Sequence, residues 1–276
     1  MTGDRLIWSG RTPCTIVPAD DRGLAYGDGL FETVRVTAGK PVLGDWHLAR
    51  LELGCERLGL PWQDFWPQAL HDFCRERGDG IAKLLVTRGS GGRGYQPPAE
   101  PEPLTVLSWH ALPTWPARAI EDGVRVRDAA LRLGEQPMLA GLKHLNRLEQ
   151  VLLRAELARH PDCHEAVVRD ARGYVIEAVS ANLFFVSDGI LHTPSLARCG
   201  VAGVLREALL DACANLGLLV QVGDWTRDSV FEADEVFLAS SVIGIWPVRQ
   251  WDDRTWRPGP ITRQCQALIA PWFATA

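Results

Sequence analysis

Lys143 lies in Leu139-Ala140-Gly141-Leu142-Lys143-His144-Leu145-Asn146-Arg147-Leu148-Glu149-Gln150, a tight and mostly apolar stretch. An amine held partly out of water has a lowered pKa and can be neutral, nucleophilic and able to form a Schiff base. The same residue also reads as a solvated lysine at a helix start, because most lysines are exposed. Glu177 sits between Val175-Ile176 and Ala178-Val179. A carboxylate there must find a cationic partner or carry a raised pKa. Val201-Ala202-Gly203 precedes a helix pattern over 204–216. Small residues and a glycine at a helix start expose N–H groups and the positive end of the dipole, which suits a phosphate; an ordinary glycine-bearing loop reads the same way. Ser240-Ser241-Val242 follows a predicted strand, where hydroxyls can contact a phosphate as well. The loop Gly89-Ser90-Gly91-Gly92-Arg93-Gly94-Tyr95 sets four glycines around an arginine. Backbone N–H groups with one guanidinium suit a carboxylate, and a flexible linker is the plainer alternative. No Gly-Lys-Ser/Thr follows, so it is not a Walker A loop. Tyr26 and Phe31 are pocket-wall candidates beside a glycine-rich entry, or core aromatics. Arg50, between Leu48 and Leu51, reads by itself as a surface charge.

Elements must hold these groups. Alternation of Phe31, Thr33 and Arg35 against Glu32, Val34 and Val36 predicts a strand. Asp45 opens an amphipathic helix with Leu48, Leu51, Cys55 and Leu58 on one face, closed by Gly59. A second helix is expected over 62–77, and strands over 6–8, 14–17, 81–88 and 104–109. Residues 111–117, punctuated by Pro113 and Pro116, read as a linker. Beyond it a strand is expected over 124–127. A helix pattern follows Lys143 directly, with Leu145, Leu148, Leu152 and Ala155 on one face. The second half turns β-rich, with strands over 165–170, 174–177, 182–187, 190–193, 218–222 and 235–239. Asp188-Gly189 marks a hairpin. Thr226 opens a short helix, and a closing helix covers 260–273.

Composition narrows the function class. The chain has 276 residues, 46% of them hydrophobic, enough for two domains. A formal net charge of -5 argues against a generic nucleic-acid binder, which needs a basic face. The N-terminus lacks a signal-peptide layout and no apolar run reaches membrane-spanning length, so the chain reads as soluble and cytoplasmic, without a membrane partner. The seven cysteines are scattered and contain no C-x-x-C, which fits reduced thiols. His160-Pro161-Asp162-Cys163-His164 is explained by a helix-end turn, and no metal is expected there.

Taken together, a lysine amine, an isolated carboxylate, a glycine-led helix start, an aromatic wall and an arginine in a glycine loop are the parts that pyridoxal 5'-phosphate needs. Three stretches then carry a family resemblance. They are Arg88-Gly89-Ser90-Gly91-Gly92-Arg93-Gly94-Tyr95, Leu139 to Gln150 as written above, and Ala181-Asn182-Leu183-Phe184. Through them nearly the whole chain resembles the fold-type IV pyridoxal phosphate enzymes, which include branched-chain and D-amino acid aminotransferases and aminodeoxychorismate lyases. His144-Leu145-Asn146-Arg147 replaces the glycine-rich run usual in branched-chain aminotransferases, and within the superfamily the chain is most similar to the bacterial lyases.

The resemblance implies a two-domain α+β / α/β fold. An N-terminal α+β domain would cover 1–110, a linker 111–121 and a C-terminal β-rich cofactor-binding domain 122–276, with the cofactor between the domains. It implies that Lys143 is the Schiff-base lysine and that Glu177 faces the pyridine nitrogen. Arg50, Val201, Ala202, Gly203, Ser241 and Val242 would hold the phosphate. Tyr26, Phe31, Arg93 and Tyr95 would lie on the substrate side. It further implies a homodimer acting on aminodeoxychorismate, a small molecule with two carboxylates. The alternative is an aminotransferase on the same fold. A non-catalytic cofactor binder would have no need to keep both Lys143 and Glu177.

Overall fold

The computed structural model describes residues 4–274. The chain divides into two compact units. One runs to Pro113 and takes in Lys143–Asn146; the other holds Thr114–Leu142 and Arg147–Phe273. Among the described residues no helix is long and apolar enough to cross a membrane.

The first unit contains β1 (Arg5–Ser9), β2 (Thr12–Cys14), α1 (Arg22–Tyr26), β3 (Gly29–Thr37), β4 (Lys40–Pro41), α2 (Gly44–Leu58), α3 (Trp66–Arg75), β5 (Gly80–Thr87) and β6 (Leu104–His110). Its sheet is antiparallel in the order β2-β1-β6-β5-β3-β4. The alternation along β3 buries Leu30, Glu32, Val34 and Val36 on one face. Helix α2 packs against that strand through Leu48, Leu51 and Cys55. Gly54 permits the close approach, because a Cβ there would stand 2.7 Å from Leu30 Cδ1. Helix α3 is shorter than the 62–77 expected. A proline in its first turn fixes where it starts. Helix α1 falls where the sequence suggested only a glycine-rich entry. The Asp21 carboxylate accepts from Gly23 N and Leu24 N, and Gly27 ends the helix in the left-handed region.

Lys143–Asn146 follows the linker in sequence yet belongs to the first unit, because its backbone pairs with the start of β3. Phe31 N donates to Lys143 O at 3.0 Å and Leu145 N to Gly29 O at 3.0 Å. The segment is extended, bridging Leu30 with His144. The helix expected directly after Lys143 is therefore delayed to Leu148.

The second unit contains α4 (Ala119–Asp122), β7 (Val124–Leu133), α5 (Leu148–Leu157), β8 (Glu165–Asp170), β9 (Val175–Ala178), β10 (Asn182–Ser187), β11 (Ile190–Pro194), α6 (Val204–Asn215), β12 (Val220–Gly223), α7 (Arg227–Phe231), β13 (Glu235–Ser240), β14 (Gly244–Trp251), β15 (Arg254–Thr255) and α8 (Pro260–Phe273). The sheet runs β12-β11-β10-β13-β14-β7-β8-β9, and β9 returns to β10. That last pairing, Glu177 opposite Asn182, closes six strands into a barrel-like ring. Parallel neighbours occur at β14/β7, β7/β8 and β11/β12. The Asp188-Gly189 signal holds: both residues have positive φ, as a two-residue hairpin between twisted strands requires. Val126, Val167, Leu183, Phe185, Leu238 and Trp251 are buried together. Phe184 and Phe237 are register partners stacked at 5.0 Å.

Candidate active site

In the first unit the site is built on β3. The Lys143 carbonyl is tied to Phe31 N, and its Nζ lies 4.4 Å from the centre of the Phe31 ring. An aromatic face attracts a cation that lies over it. One residue on, Glu32 points to the buried side and is 2% exposed. Its Oε2 lies 2.6 Å from His47 Nδ1, and its Oε1 accepts from Arg50 Nε at 2.9 Å. A second Arg50 nitrogen, Nη2, donates to Oε2. His47 and Arg50 stand three residues apart on α2, so both reach the same strand.

The charge balance follows from this geometry. Burial pushes the Glu32 carboxyl up, but the adjacent Arg50 charge and the His47 contact more than offset it and bring the carboxyl down to about 2. Burial lowers His47, opposed by Glu32 and helped by the Arg50 and Lys143 charges. His47 is thus neutral at pH 7, with its Nδ1 proton donated to an ionised Glu32. Arg50 supplies the balancing positive charge, its guanidinium fixed by two bonds to one carboxylate.

The glycine-rich loop differs from the anion cradle suggested by its sequence. The guanidinium it encloses is that of Arg22, which donates to the carbonyls of Gly94 and Tyr95 at 3.0 Å each. These loop carbonyls face a cation, and Arg22 also pairs with Asp28 at 2.9 Å. Arg88 meets the same carboxylate at 2.8 Å, tying the loop to the end of β5. Arg93 is exposed and bridges to Gln96. Tyr26 and Tyr95 come together at 5.4 Å between ring centres, and Arg22 lies over the Tyr26 ring.

In the second unit Glu177 is buried on β9, 5% exposed, and its Oε2 accepts from Val201 N at 2.9 Å. Asn182, its partner across the seam of the ring, donates from Nδ2 to Val201 O at 2.9 Å. Gly200 O accepts from Gly141 N, and Ala202 N donates to Gly141 O, each at 3.0 Å. Gly200 has φ +86, and a Cβ there would meet Ile176 and Leu196 at 2.8 Å. A Cβ on Gly203 would stand 2.0 Å from Asn182 Oδ1, so only glycine fits. Gly203 precedes α6, and among the described residues no side chain caps that helix start. The positive end of the dipole of this twelve-residue helix therefore lies at Gly203. Ser241 and Val242 form the turn between β13 and β14, where Ile243 N approaches Ser240 Oγ at 3.4 Å.

Among the residues expected to act together, the structure pairs Lys143 with Phe31, Tyr26 with Tyr95, and Glu177 with Val201. It adds three that the sequence did not single out: Glu32, His47 and Asn182. Glu32 carried a legible signal, a carboxylate on the apolar side of an alternating strand, which must be paired. Asn182 carried none beyond its place in the Ala181–Phe184 stretch, since its partner lies nineteen residues away in an unrelated loop.

Known proteins resemble this one over nearly its full length. The sequence model for amino-transferase class IV matches residues 29–251. An aminodeoxychorismate lyase of Vibrio harveyi is 37% identical over 246 residues, 88% of this chain and 90% of that protein. The crystal structure of a 4-amino-4-deoxychorismate lyase from Pseudomonas aeruginosa superposes with a TM-score of 0.91 at 48% identity, covering 96% of this chain and 98% of that one. A branched-chain amino acid aminotransferase from T.th., solved with pyridoxamine 5'-phosphate, gives a TM-score of 0.80 at 25% identity, covering 97% of this chain and 94% of that one.

Proposed function

The chain belongs to the amino-transferase class IV family, and from that premise we propose that it is a pyridoxal 5'-phosphate-dependent lyase converting 4-amino-4-deoxychorismate to 4-aminobenzoate and pyruvate. The observation that carries the reading is the 48% identity and near-complete coverage shared with the Pseudomonas aeruginosa lyase. The residues present fit the cofactor. Gly203 leads into a twelve-residue helix whose N-cap residue makes no side-chain hydrogen bond, so the positive end of the dipole lies at this loop. Glu177 is a buried carboxylate one hydrogen bond from the same loop.

When bound, the cofactor supplies an electron sink through its protonated ring. The chain's own residues do the rest. Lys143 Nζ carries the cofactor between turnovers, takes the proton from C4 of the substrate and returns a proton to the enol carbon of the departing pyruvate. The Phe31 face beside Nζ supports the amine while it holds that proton. Glu177 keeps the ring nitrogen protonated. Arg50, with Val201, Ala202, Gly203, Ser241 and Val242, holds the phosphate, and Glu32 keeps Arg50 in one orientation. Tyr26, Phe31, Arg93 and Tyr95 take the substrate side, where Arg93 answers a substrate carboxylate. Aromatisation of the product drives the reaction, so no second keto acid is required.

The working form is a cytoplasmic homodimer. Leu148, Val151 and Leu152 support the dimer: they are apolar, exposed and share one flank of α5, a face a second copy would cover.

The test is a product assay. Purified protein with freshly generated aminodeoxychorismate and no keto acid is expected to release fluorescent 4-aminobenzoate, and Lys143→Ala to release none. Lys143→Ala should also lose the cofactor that borohydride fixes to the wild type. Absence of product from folded wild type, with amino-group transfer to a keto acid instead, overturns the lyase reading in favour of the aminotransferase.

A further inference from the structure

The seam that closes the ring of the second unit places Glu177 opposite Asn182. Their side chains take hold of the same residue from its two polar ends. Glu177 accepts from Val201 N and Asn182 donates to Val201 O, both at 2.9 Å. Gly200 and Ala202, on either side of Val201, are both bonded to Gly141. Four hydrogen bonds thus fix three consecutive residues, and the next residue is Gly203, which leads into α6.

We propose that Asn182 is a positioning residue for the cofactor phosphate: through Val201 it sets the direction in which the backbone entering α6 at Gly203 presents its N–H groups. The inference rests on the pyridoxal phosphate reading above and adds a residue to it. The carboxamide is used at both ends. Nδ2 donates to Val201 O, while Oδ1 lies where a Cβ on Gly203 would come within 2.0 Å of it. A shorter side chain leaves Val201 O without its donor and opens space beside Gly203. A carboxylate of the same shape cannot donate at all. Either change lets the Val201 peptide rotate, and N–H groups aimed at an anion lose alignment steeply with angle. Because Glu177 holds the other end of Val201, one residue links the loop assigned to the phosphate with the carboxylate assigned to the ring nitrogen.

A general loss of fold would weaken every ligand alike, whereas a misaimed phosphate cradle weakens only ligands that carry a phosphate. The experiment titrates apoenzyme with pyridoxal 5'-phosphate and, separately, with pyridoxal, following absorbance and tryptophan fluorescence. Asn182→Ala is expected to raise the Kd for pyridoxal 5'-phosphate about tenfold, the worth of a hydrogen-bonded anchor, and the Kd for pyridoxal by less than about twofold. Asn182→Asp keeps the shape and adds a negative charge beside the phosphate, so its loss should exceed that of Asn182→Ala. Should Asn182→Ala not fold, Asn182→Asp carries the same comparison. Equal weakening of both ligands, or no weakening of either, overturns the positioning role. Wild type that binds neither ligand overturns the pyridoxal phosphate reading itself, an outcome separate from any behaviour of the variants.

Discussion

Glu32→Gln isolates the electrostatics beneath the site. The substitution keeps the size of a side chain that is 2% exposed and removes its charge together with one of its two acceptor oxygens. The carboxyl is held at about 2 against an ordinary 4.5, which corresponds to about 3 kcal/mol of stability at neutral pH. Removing one partner of a buried ion pair gives a loss of the same order, about 3–5 kcal/mol, because the remaining charge stays buried. Thermal melts followed by tryptophan fluorescence should therefore show the variant unfolding on the order of 10 °C lower at pH 7. The pH dependence is the sharper test. A carboxyl whose pKa is depressed on folding contributes fully above its unfolded value and loses that contribution as pH falls toward the folded one. The gap between wild type and variant should hold from pH 7 to about 5, then narrow, with about 1 kcal/mol gone by pH 4. A gap that instead widens as pH falls through about 6.5 would mean that a protonated His47, not Arg50, balances Glu32. A gap absent at pH 7 would refute the argument altogether.

Two further variants probe the second unit. Glu177→Gln retains an oxygen that can accept from Val201 N, so the protein should fold and bind cofactor while turnover falls at least about a hundredfold, measured by 4-aminobenzoate release; unchanged turnover removes Glu177 from the chemistry. Glu235 is buried on β13 and accepts from Ile261 N at 3.1 Å and Thr262 N at 2.7 Å, doing for α8 what a capping side chain does. Glu235→Ala should cost about 2 kcal/mol by urea unfolding, and a loss below about 0.5 kcal/mol would deny it that role.

Local pattern was enough for most of the elements. The alternation in β3, the Asp45 and Gly59 boundaries of α2, the Asp188-Gly189 hairpin and the α6 start after Gly203 each depend on neighbours a few residues away. What failed depended on distant partners. The leucines after Lys143 repeat at helical spacing, yet Leu148 is 70% and Leu152 52% exposed, while Leu153 and Leu157 are buried. Period alone states that a face is apolar, not what covers it. The segment before them is extended because β3, more than a hundred residues earlier, supplies its hydrogen bonds. Likewise the glycine loop looked ready for an anion because its carbonyls had no visible partner in sequence. Arg22, roughly seventy residues upstream, is that partner.

The residues hardest to read share one physical cause. Each charged or amide group is delivered by a glycine whose missing Cβ lets backbone come close. Gly54 lies inside α2, where glycine costs about 1 kcal/mol relative to alanine, so its presence calls for a compensating contact. That contact is Leu30, and the approach it permits lets His47 and Arg50, on the same helix, meet Glu32. Gly200 and Gly203 stand in the same relation to Glu177 and Asn182. A glycine inside a regular element, or directly before one, therefore marks where a polar side chain from elsewhere in the same unit is to be sought. Applied to Gly203, that rule leads to Asn182, which neither the charge pattern nor the hydrophobic period would have selected.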